Sequence, residues 1–237
     1  MNIAQILFSQ GFGTRRECEA LVLRGAVRIA GRVADDPAAD FDPRGLVLEV
    51  DGAHWPVRAK ALVVLHKPAG IECSQKPRHH PSVMSLLPTP LRRRGVQPIG
   101  RLDADTTGLL LLTDDGALIH RLTSPRQHVA KVYEVQAADP VTPRQIDALL
   151  RGVVLRDDPG PVCAAACEPT GERTLRLTLL EGKYHQVKRM LAAVGNRVVA
   201  LHRSRFGALE LPADLGPGQW RWLTGPQDVL GSATART

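Results

Sequence analysis

Hydrophobic and polar positions follow helical and then strand-like spacing in the first sixty residues. IAQILF has the apolar spacing of a helix, and TRRE offers a capping box, with Thr14 as N-cap and Glu17 reaching back, for a second helix through CEALVLR. Gly25 is expected to end that helix. AVRIAGRVADDP predicts two short strands around a turn at Gly31, and GLVLEVDG predicts a third. A small module of two helices followed by a hairpin is therefore expected.

The remaining chain has a longer mixture of strand and helix patterns. DGAHWPVRAK is rich in turn formers and is interpreted as a linker. Strands are then predicted for ALVVLHKP, GLLLLT, KVYEVQ and TLRLTLL, and helices for GALIHRLTS, TPRQIDALLRG and HQVKRMLAAVG. Because these elements lack a strict strand-helix-strand rhythm, we expect an α+β fold with a mixed, mainly antiparallel sheet and flanking helices. The predicted domains are 1–59 and 60–237.

Charge points to a polyanionic partner. The 237 residues carry a net charge of +7, with a pI near 9.7. Residues 1–60 contain eight Lys/Arg and eight Asp/Glu, so the surplus lies in 61–237. It concentrates in the RRR run at 92–94 and between Glu181 and Glu210, where six basic residues occur without an acid. Because phosphate neutralisation by Lys and Arg drives nucleic-acid affinity, RNA or DNA binding is favoured.

Several other classes of protein are disfavoured. The apolar runs are too short to cross a bilayer, and MNIAQILFSQG lacks the features of a secretory signal, so the cytoplasm is the expected compartment. The four cysteines are spread out and are expected to be reduced. The eight histidines show no metal-ligand spacing, so we expect no metal.

Four segments, HKPAGIECS, GRLDADTTGLLLLTDDG, KVYEV and EGKYHQVKRML, occur in the order and approximate spacing of the pseudouridine synthases. The resemblance is strongest to the RsuA branch, which modifies small-subunit ribosomal RNA, and it covers nearly the whole chain. The N-terminal pattern is similar to the S4-like RNA-binding module, although MNIAQ lacks the basic opening segment of that family, so weaker binding is expected. Four arginines are predicted to be presented by the helices of this module: Arg15, Arg16, Arg24 and Arg28.

The chemistry of uridine isomerisation fits these segments. The reaction breaks the N1–C1′ bond and joins C5 to C1′, so it needs no redox cofactor but does need a carboxylate near the ribose, as a nucleophile or as a base toward the sugar. By resemblance Asp103 is that carboxylate. Since a carboxylate beside a buried strand needs a nearby cation to stay ionised, Lys188 is its expected partner. Tyr133 is expected to stack on the uracil and to assist proton removal from C5.

The remaining candidate residues have supporting tasks. Asp105 is expected to brace its loop through Thr106 or Thr107, and the acids of DDG to form a turn and helix cap. His66, Lys67 and Cys73 are expected to shape the wall of the site. Contact with RNA is predicted for five further residues: Arg101, Lys131, His185, Gln186 and Arg189.

The resemblance implies one uridine of 16S ribosomal RNA as substrate, recognised within a partly assembled small subunit by a protein that we expect to be a monomer. Three alternatives remain at this point. The first is a large-subunit (23S) pseudouridine synthase, and the second is a non-catalytic RNA-binding or ribosome-assembly protein. The third is a metal-dependent nuclease using the clustered aspartates, which EDTA would inhibit.

Overall fold

The computed structural model describes residues 1–156, 158 and 160–231, which form two compact units. One unit contains residues 1–61 together with 87–97, and the other contains the rest of the described chain. The domain limits expected from the sequence, 1–59 and 60–237, stay a prediction, and the second one ends outside the described residues. Within the described part, no helix is long and apolar enough to cross a membrane.

Side-chain caps define the first two helices of the first unit. Both predicted helices are present, and the Thr14–Glu17 capping box forms as expected, with Thr14 N donating to Glu17 Oε2 at 2.6 Å. Asn2 and Gln5 form a second capping box at the start of the first helix, which the apolar spacing of IAQILF does not predict. The helices are α1 (Ile3–Ser9), α2 (Arg15–Leu23) and α3 (Thr89–Arg93).

A four-stranded antiparallel sheet completes this unit, in the order β2-β1-β3-β4. The turn at Ala30 and Gly31 has positive φ at both residues, as a tight hairpin requires. Asp51 and Gly52 make the same kind of turn, so the linker interpretation of DGAHWPVRAK is wrong: its first part is a strand paired with the one before it. The strands are β1 (Val27–Ile29), β2 (Arg32–Val33), β3 (Val47–Val50) and β4 (Ala53–Pro56).

The RRR run is used largely inside the first unit. Arg93 pairs with Glu17 at 3.2 Å. Arg94 donates to Gln10 Oε1 at 2.8 Å and to the carbonyl oxygen of Arg58 at 2.9 Å. Arg92 donates to Thr89 Oγ1 at 2.9 Å. All three guanidinium groups of the run therefore have protein partners, and these contacts do not favour the expectation that the run mainly binds nucleic acid.

The second unit is built on one large sheet with the strand order β11-β12-β8-β13-β7-β5-β15. Neighbouring strands are antiparallel except β13 and β7, which are parallel, so the expected mixed, mainly antiparallel sheet is confirmed. The other strands are β5 (Leu62–Lys67), β6 (Gln97–Pro98), β7 (Thr107–Thr113), β8 (Lys131–Ala137), β9 (Val153–Val154), β10 (Pro161–Val162), β11 (Ala166–Gly171), β12 (Thr174–Leu179), β13 (Val198–Phe206), β14 (Leu209–Glu210) and β15 (Trp220–Trp222). The other helices are α4 (Gly116–Thr123), α5 (Pro143–Arg151), α6 (Gln186–Ala193) and α7 (Gln227–Leu230).

The predicted helices begin and end where their caps indicate. Asp115 caps α4 by accepting from Ala117 N and Leu118 N. Thr142 caps α5, whose last residue precedes Gly152. The apolar face of α4 packs with β5 and β7 in a core that includes Leu118, Leu122, Leu62, Leu109, Leu111 and Phe206. This core supports one face of the sheet beside the pocket described below.

The junction of β7 and β13 depends on a glycine. Gly108 has φ +106°, and a Cβ placed on it would overlap the backbone carbonyl oxygen of Arg203. Only a residue without a side chain allows the two backbones to approach this closely. The close approach brings the loop that precedes β7 beside the middle of β13.

Candidate active site

One face of the sheet forms the floor of a pocket with a volume of about 120 Å³. Tyr133 on β8 lies directly across from Arg203 on β13, and Lys131 lies across from Phe206. Residues opposite each other in an antiparallel pair share a face, so these four side chains converge. The walls are the loop of residues 100–106 and the segment that leads into α6.

Asp103 lies at the edge of this pocket, with about a quarter of its side chain exposed (26%). Its Oδ2 is 2.9 Å from Lys188 Nζ, and its Oδ1 is 3.2 Å from His185 Nε2. The structure thus brings together the carboxylate and the cation that the resemblance paired. Burial alone would lower the pKa of Lys188, but its bonds to Asp105 and Asp103 outweigh this effect and raise the pKa above its usual value. Lys188 therefore stays charged.

Asp105 shares the same cation. Lys188 Nζ donates to both carboxylate oxygens of Asp105, at 2.7 and 3.0 Å, and this bond holds the pKa of Asp105 below its usual range. The expected brace through Thr106 or Thr107 is wrong. The Thr107 hydroxyl instead lies 2.9 Å from His202 Nδ1, and the buried Thr106 hydroxyl has no hydrogen-bond partner in the described chain. Asp105 therefore positions Lys188.

Lys67 fixes the loop that carries the two aspartates. It is fully buried, and its ammonium group donates to the carbonyl oxygens of Pro68, Ala104 and Thr106 at 3.0, 3.1 and 2.8 Å. The three N–H groups of the Lys67 ammonium therefore have three backbone carbonyl acceptors, and no carboxylate is needed to complete their hydrogen bonds. Lys67, which was predicted to shape the wall of the site, instead stabilises the loop from inside by bonding to its backbone.

Tyr133 lies on the floor and is 9% exposed. The other tyrosine, Tyr184, is 70% exposed and stacks on His185, with ring centroids 3.8 Å apart. His185 immediately precedes α6 with a left-handed backbone (φ +49°), which turns its ring toward Asp103. The structure therefore places His185 of this stacked pair at the pocket, in contact with Asp103, in addition to the tyrosine on the floor.

Two of the residues predicted to bind RNA are held by the protein. Gln186 is buried, accepts from Lys183 N at 2.8 Å and donates to Glu181 at 3.2 Å, so it shapes the turn before α6. Arg189 pairs with Asp158 at 3.2 Å, and Lys183 pairs with the same carboxylate at 2.7 Å. The basic stretch between Glu181 and Glu210 contains no acid, but Asp158, from an earlier segment of the chain, pairs with two of its basic residues. The local sequence does not predict this pairing.

Arg101 and Lys131 line the pocket from different sides. Arg101 is exposed at the rim. Lys131 is 7% exposed on the floor, where burial, and then the charge of Arg203, lower its pKa to about 8 against the opposing effect of Glu181. Arg203 is 2% exposed, and the sequence analysis had counted it only as one basic residue of a run. No local sequence pattern indicates that Arg203 lies on a buried strand beside KVYEV.

The four arginines of the first unit that were predicted to bind RNA differ in their surroundings. Arg15 and Arg16 are exposed on α2, and Arg15 lies 5.6 Å from the ring of Phe8. Arg24, which ends α2, makes a two-pronged bond to Asp51 at 2.9 and 2.8 Å. Arg28 lies on β1, so its predicted helical position is wrong, because Gly25 ends the helix before it. Of the four, Arg15 and Arg16 thus lie within a helix, as predicted, and are exposed.

No group of three or more potential metal ligands occurs among the residues that the structure describes. The aspartates near the pocket are instead paired with lysine and histidine side chains. The arrangement places a carboxylate in contact with a cation beside a pocket with an aromatic side chain on its floor.

The sequence model for RNA pseudouridylate synthase matches residues 61–193, more than half of the chain, and the model for the S4 domain matches residues 1–43. The chain therefore belongs to the RNA pseudouridylate synthase family, whose members are RNA uridine isomerases. The predicted enzyme class is confirmed, as is the S4-like module at the N-terminal end.

Similar proteins match nearly the whole chain. A ribosomal small subunit pseudouridine synthase A from Escherichia coli (strain K12) is 47% identical, over 91% of this chain and 94% of the relative. The protein of the same name from Pasteurella multocida (strain Pm70) is 39% identical, over 89% and 90%. A crystal structure of a pseudouridylate synthase is 34% identical, covers 94% of this chain and 96% of that one, and has a TM-score of 0.67. A purely RNA-binding role is therefore set aside.

Proposed function

We propose that this protein converts one uridine of 16S ribosomal RNA to pseudouridine while the small subunit assembles. The names of the relatives from Escherichia coli and Pasteurella multocida support the small-subunit target. The S4-like module, with Arg15 and Arg16 exposed, supports recognition of RNA beyond the modified nucleotide. A partly assembled particle is the expected substrate, and the protein acts on it as a monomer without a cofactor.

The observation that carries the proposal is the contact between Asp103 and Lys188 at the edge of the pocket. Isomerisation requires an ionised carboxylate beside the ribose, and Lys188 offsets the cost of holding that charge in a partly buried place. Asp103 acts on the sugar, as the nucleophile at C1′ or as a base toward the sugar. The flipped uracil lies on the floor against Tyr133, whose phenol assists removal of the C5 proton after C5 has joined C1′.

RNA contacts supply the energy for extruding the base. Flipping a nucleotide costs a few kcal/mol, which contacts with the neighbouring phosphates and bases must offset. Arg101 is exposed at the rim, His185 lies between Asp103 and Tyr184, and Lys131 lies on the floor. Gln186 and Arg189 contribute indirectly, by fixing the segment around Lys188.

Asp103→Asn tests the catalytic assignment. The variant keeps the shape of the side chain but loses its charge, so we expect pseudouridine formation to fall by at least about 10⁴-fold while RNA affinity stays within roughly threefold. Single-turnover assays on small-subunit RNA and a filter-binding titration measure the two quantities.

The matched control is Asp105→Asn. Asp105 bonds to the same lysine but is 73% exposed, so its loss should cost roughly tenfold or less in rate. Equal activity of Asp103→Asn and the wild type would contradict the assignment. Loss of activity in EDTA would instead revive a metal-dependent reaction.

A further inference from the structure

Arg203 is a buried cation with an unused donor. It is 2% exposed, and its Nε donates to the carbonyl oxygen of Leu109 at 2.8 Å. Its Nη2 is buried and has no hydrogen-bond partner within the described chain. Buried donors are nearly always bonded in native proteins, so an unbonded one in a pocket needs a physical reason.

Lys131 places a second positive charge beside the first. Its Nζ lies 5.3 Å from the centroid of the Phe206 ring, and Arg203 Cζ lies 5.2 Å from the same centroid. Neither side chain makes a salt bridge with any residue that the structure describes. Glu181 is the acid that acts on Lys131 electrostatically, without a salt bridge. The Glu181 carboxylate already accepts a hydrogen bond from Gln186 at 3.2 Å. Two buried like charges without a close carboxylate destabilise the empty protein.

The same pocket contains another unbonded polar group. The hydroxyl of Thr106, which is 1% exposed, also has no partner in the described chain. The pocket is therefore lined by Arg203, Lys131 and Thr106 around the floor on which Tyr133 also lies, and the arginine and the threonine each carry a buried polar atom without a partner in the described chain. Such a set fits a small planar ligand that offers acceptor oxygens and negative charge.

Uracil becomes such a ligand during the reaction. When the N1–C1′ bond breaks, its electron pair goes to the base, which is then a uracil anion with charge shared among N1, O2 and O4. C5 of that anion later bonds to C1′, and the C5 proton is lost as the ring regains a proton on nitrogen, so the product is an isomer and no oxidant is needed.

We propose that Arg203, with Lys131 beside it, binds a carbonyl oxygen of the flipped uracil and stabilises the uracil anion released by bond cleavage. This inference rests on the isomerase reaction and deepens it, since it names the groups that hold the detached base. Donors fixed before the reaction act most strongly in a site that excludes water. With O4 as the contacted oxygen, the floor would also select uracil over cytosine, because cytosine has an amino donor in place of that acceptor.

The test compares Arg203→Lys with the wild type on three synthetic RNAs containing uridine, 2-thiouridine or 4-thiouridine at the target. Sulfur accepts hydrogen bonds weakly, and the thio-base is the better leaving group. We expect Arg203→Lys to be slower by about 100-fold on uridine and by less than about threefold on the analogue whose sulfur replaces the contacted oxygen. The affected analogue identifies the contacted oxygen as O2 or O4.

Arg205→Lys is the matched control on the same strand. Arg205 lies among Glu134, His202 and Ser204, away from the pocket floor. Any change in the reaction rate of Arg205→Lys should therefore be equal on the three RNAs. Lys131→Met is run in parallel and should repeat the pattern of Arg203→Lys. Thermal melts show whether each variant is folded.

A merely structural role for Arg203 predicts equal slowing on all three RNAs, and that result with both Arg203→Lys and Lys131→Met would overturn the proposal. The RNA is whichever ribosomal fragment the wild type modifies. Modification of a large-subunit fragment would contradict the 16S proposal while leaving this comparison intact.

Discussion

At the scale of single residues, the buried cations of the site differ in whether their N–H groups have oxygen acceptors within the protein. Lys67 and Lys188 donate to carbonyl or carboxylate oxygens, whereas Lys131 and the Nη2 of Arg203 have no such partner in the described chain. The pair Asp103–Lys188 was predicted because its motifs resemble those of a known family. Arg203 was not singled out, since one arginine among six basic residues carries no local sign that it will be buried on a pocket floor.

The unmatched charge of Lys131 should be visible in stability. Its pKa falls to about 8 from 10.5, so the unfolded chain holds this proton more tightly than the folded protein. The resulting cost, on the order of 3 kcal/mol, is present below pH 8 and disappears as the pH rises toward 10.5. Lys131→Met, which keeps similar volume, should therefore unfold at higher denaturant concentration at pH 7 and yet modify RNA more slowly.

Urea unfolding of Lys131→Met and the wild type at pH 7 and pH 9.5 measures this effect. The advantage of the variant should shrink at the higher pH, where the wild-type lysine has lost most of its charge. An advantage that does not change with pH, or a variant less stable than the wild type at pH 7, would show that Lys131 is not a desolvated cation.

At the scale of elements, capped helices were predictable and irregular strands were not. Thr14, Thr142 and Asp115 fix helix starts through local bonds that the sequence displays directly. The strand β4 was read as linker because its turn residues, Asp51 and Gly52, were taken as part of a flexible segment. The strand β13 was missed because it carries charged residues and two irregularities in register. Its burial is decided by partners far away in sequence.

Substitution of Gly108 tests whether the close approach of β7 and β13 positions the site. Gly108→Ala must accommodate both a positive φ and an overlap with the Arg203 backbone, so we expect a loss of roughly 3 kcal/mol or more. For a chain of this size, such a loss lowers the melting temperature by roughly 6–12 °C. Activity should fall further than stability explains, because Arg203 shifts with its strand.

Gly116→Ala is the matched control for this substitution. Gly116 begins α4 with no atom within 4 Å of an added Cβ, so its melting temperature should stay within about 2 °C of the wild type. Equal melting temperatures for both alanine variants would mean that the close approach of β7 to β13 does not constrain the fold.

At the scale of the whole molecule, charge and order along the chain were only partly informative. The basic surplus favoured RNA or DNA as a partner, and the chain belongs to a family of enzymes that modify RNA. Its two local concentrations were poorer guides, because Arg93 and Arg94 bond within the first unit and Asp158 pairs with Lys183 and Arg189. Residues 87–97 join the first unit although they follow the start of the second along the chain. No local sequence pattern predicts such long-range packing.

The central claim is that this protein makes one pseudouridine in small-subunit ribosomal RNA through Asp103. It is tested most directly by mapping every pseudouridine in ribosomal RNA from cells that lack the protein, after complementation with the wild type or with Asp103→Asn. We predict that one 16S site disappears, returns with the wild type and does not return with Asp103→Asn. An unchanged 16S map together with the loss of a 23S site would contradict the account.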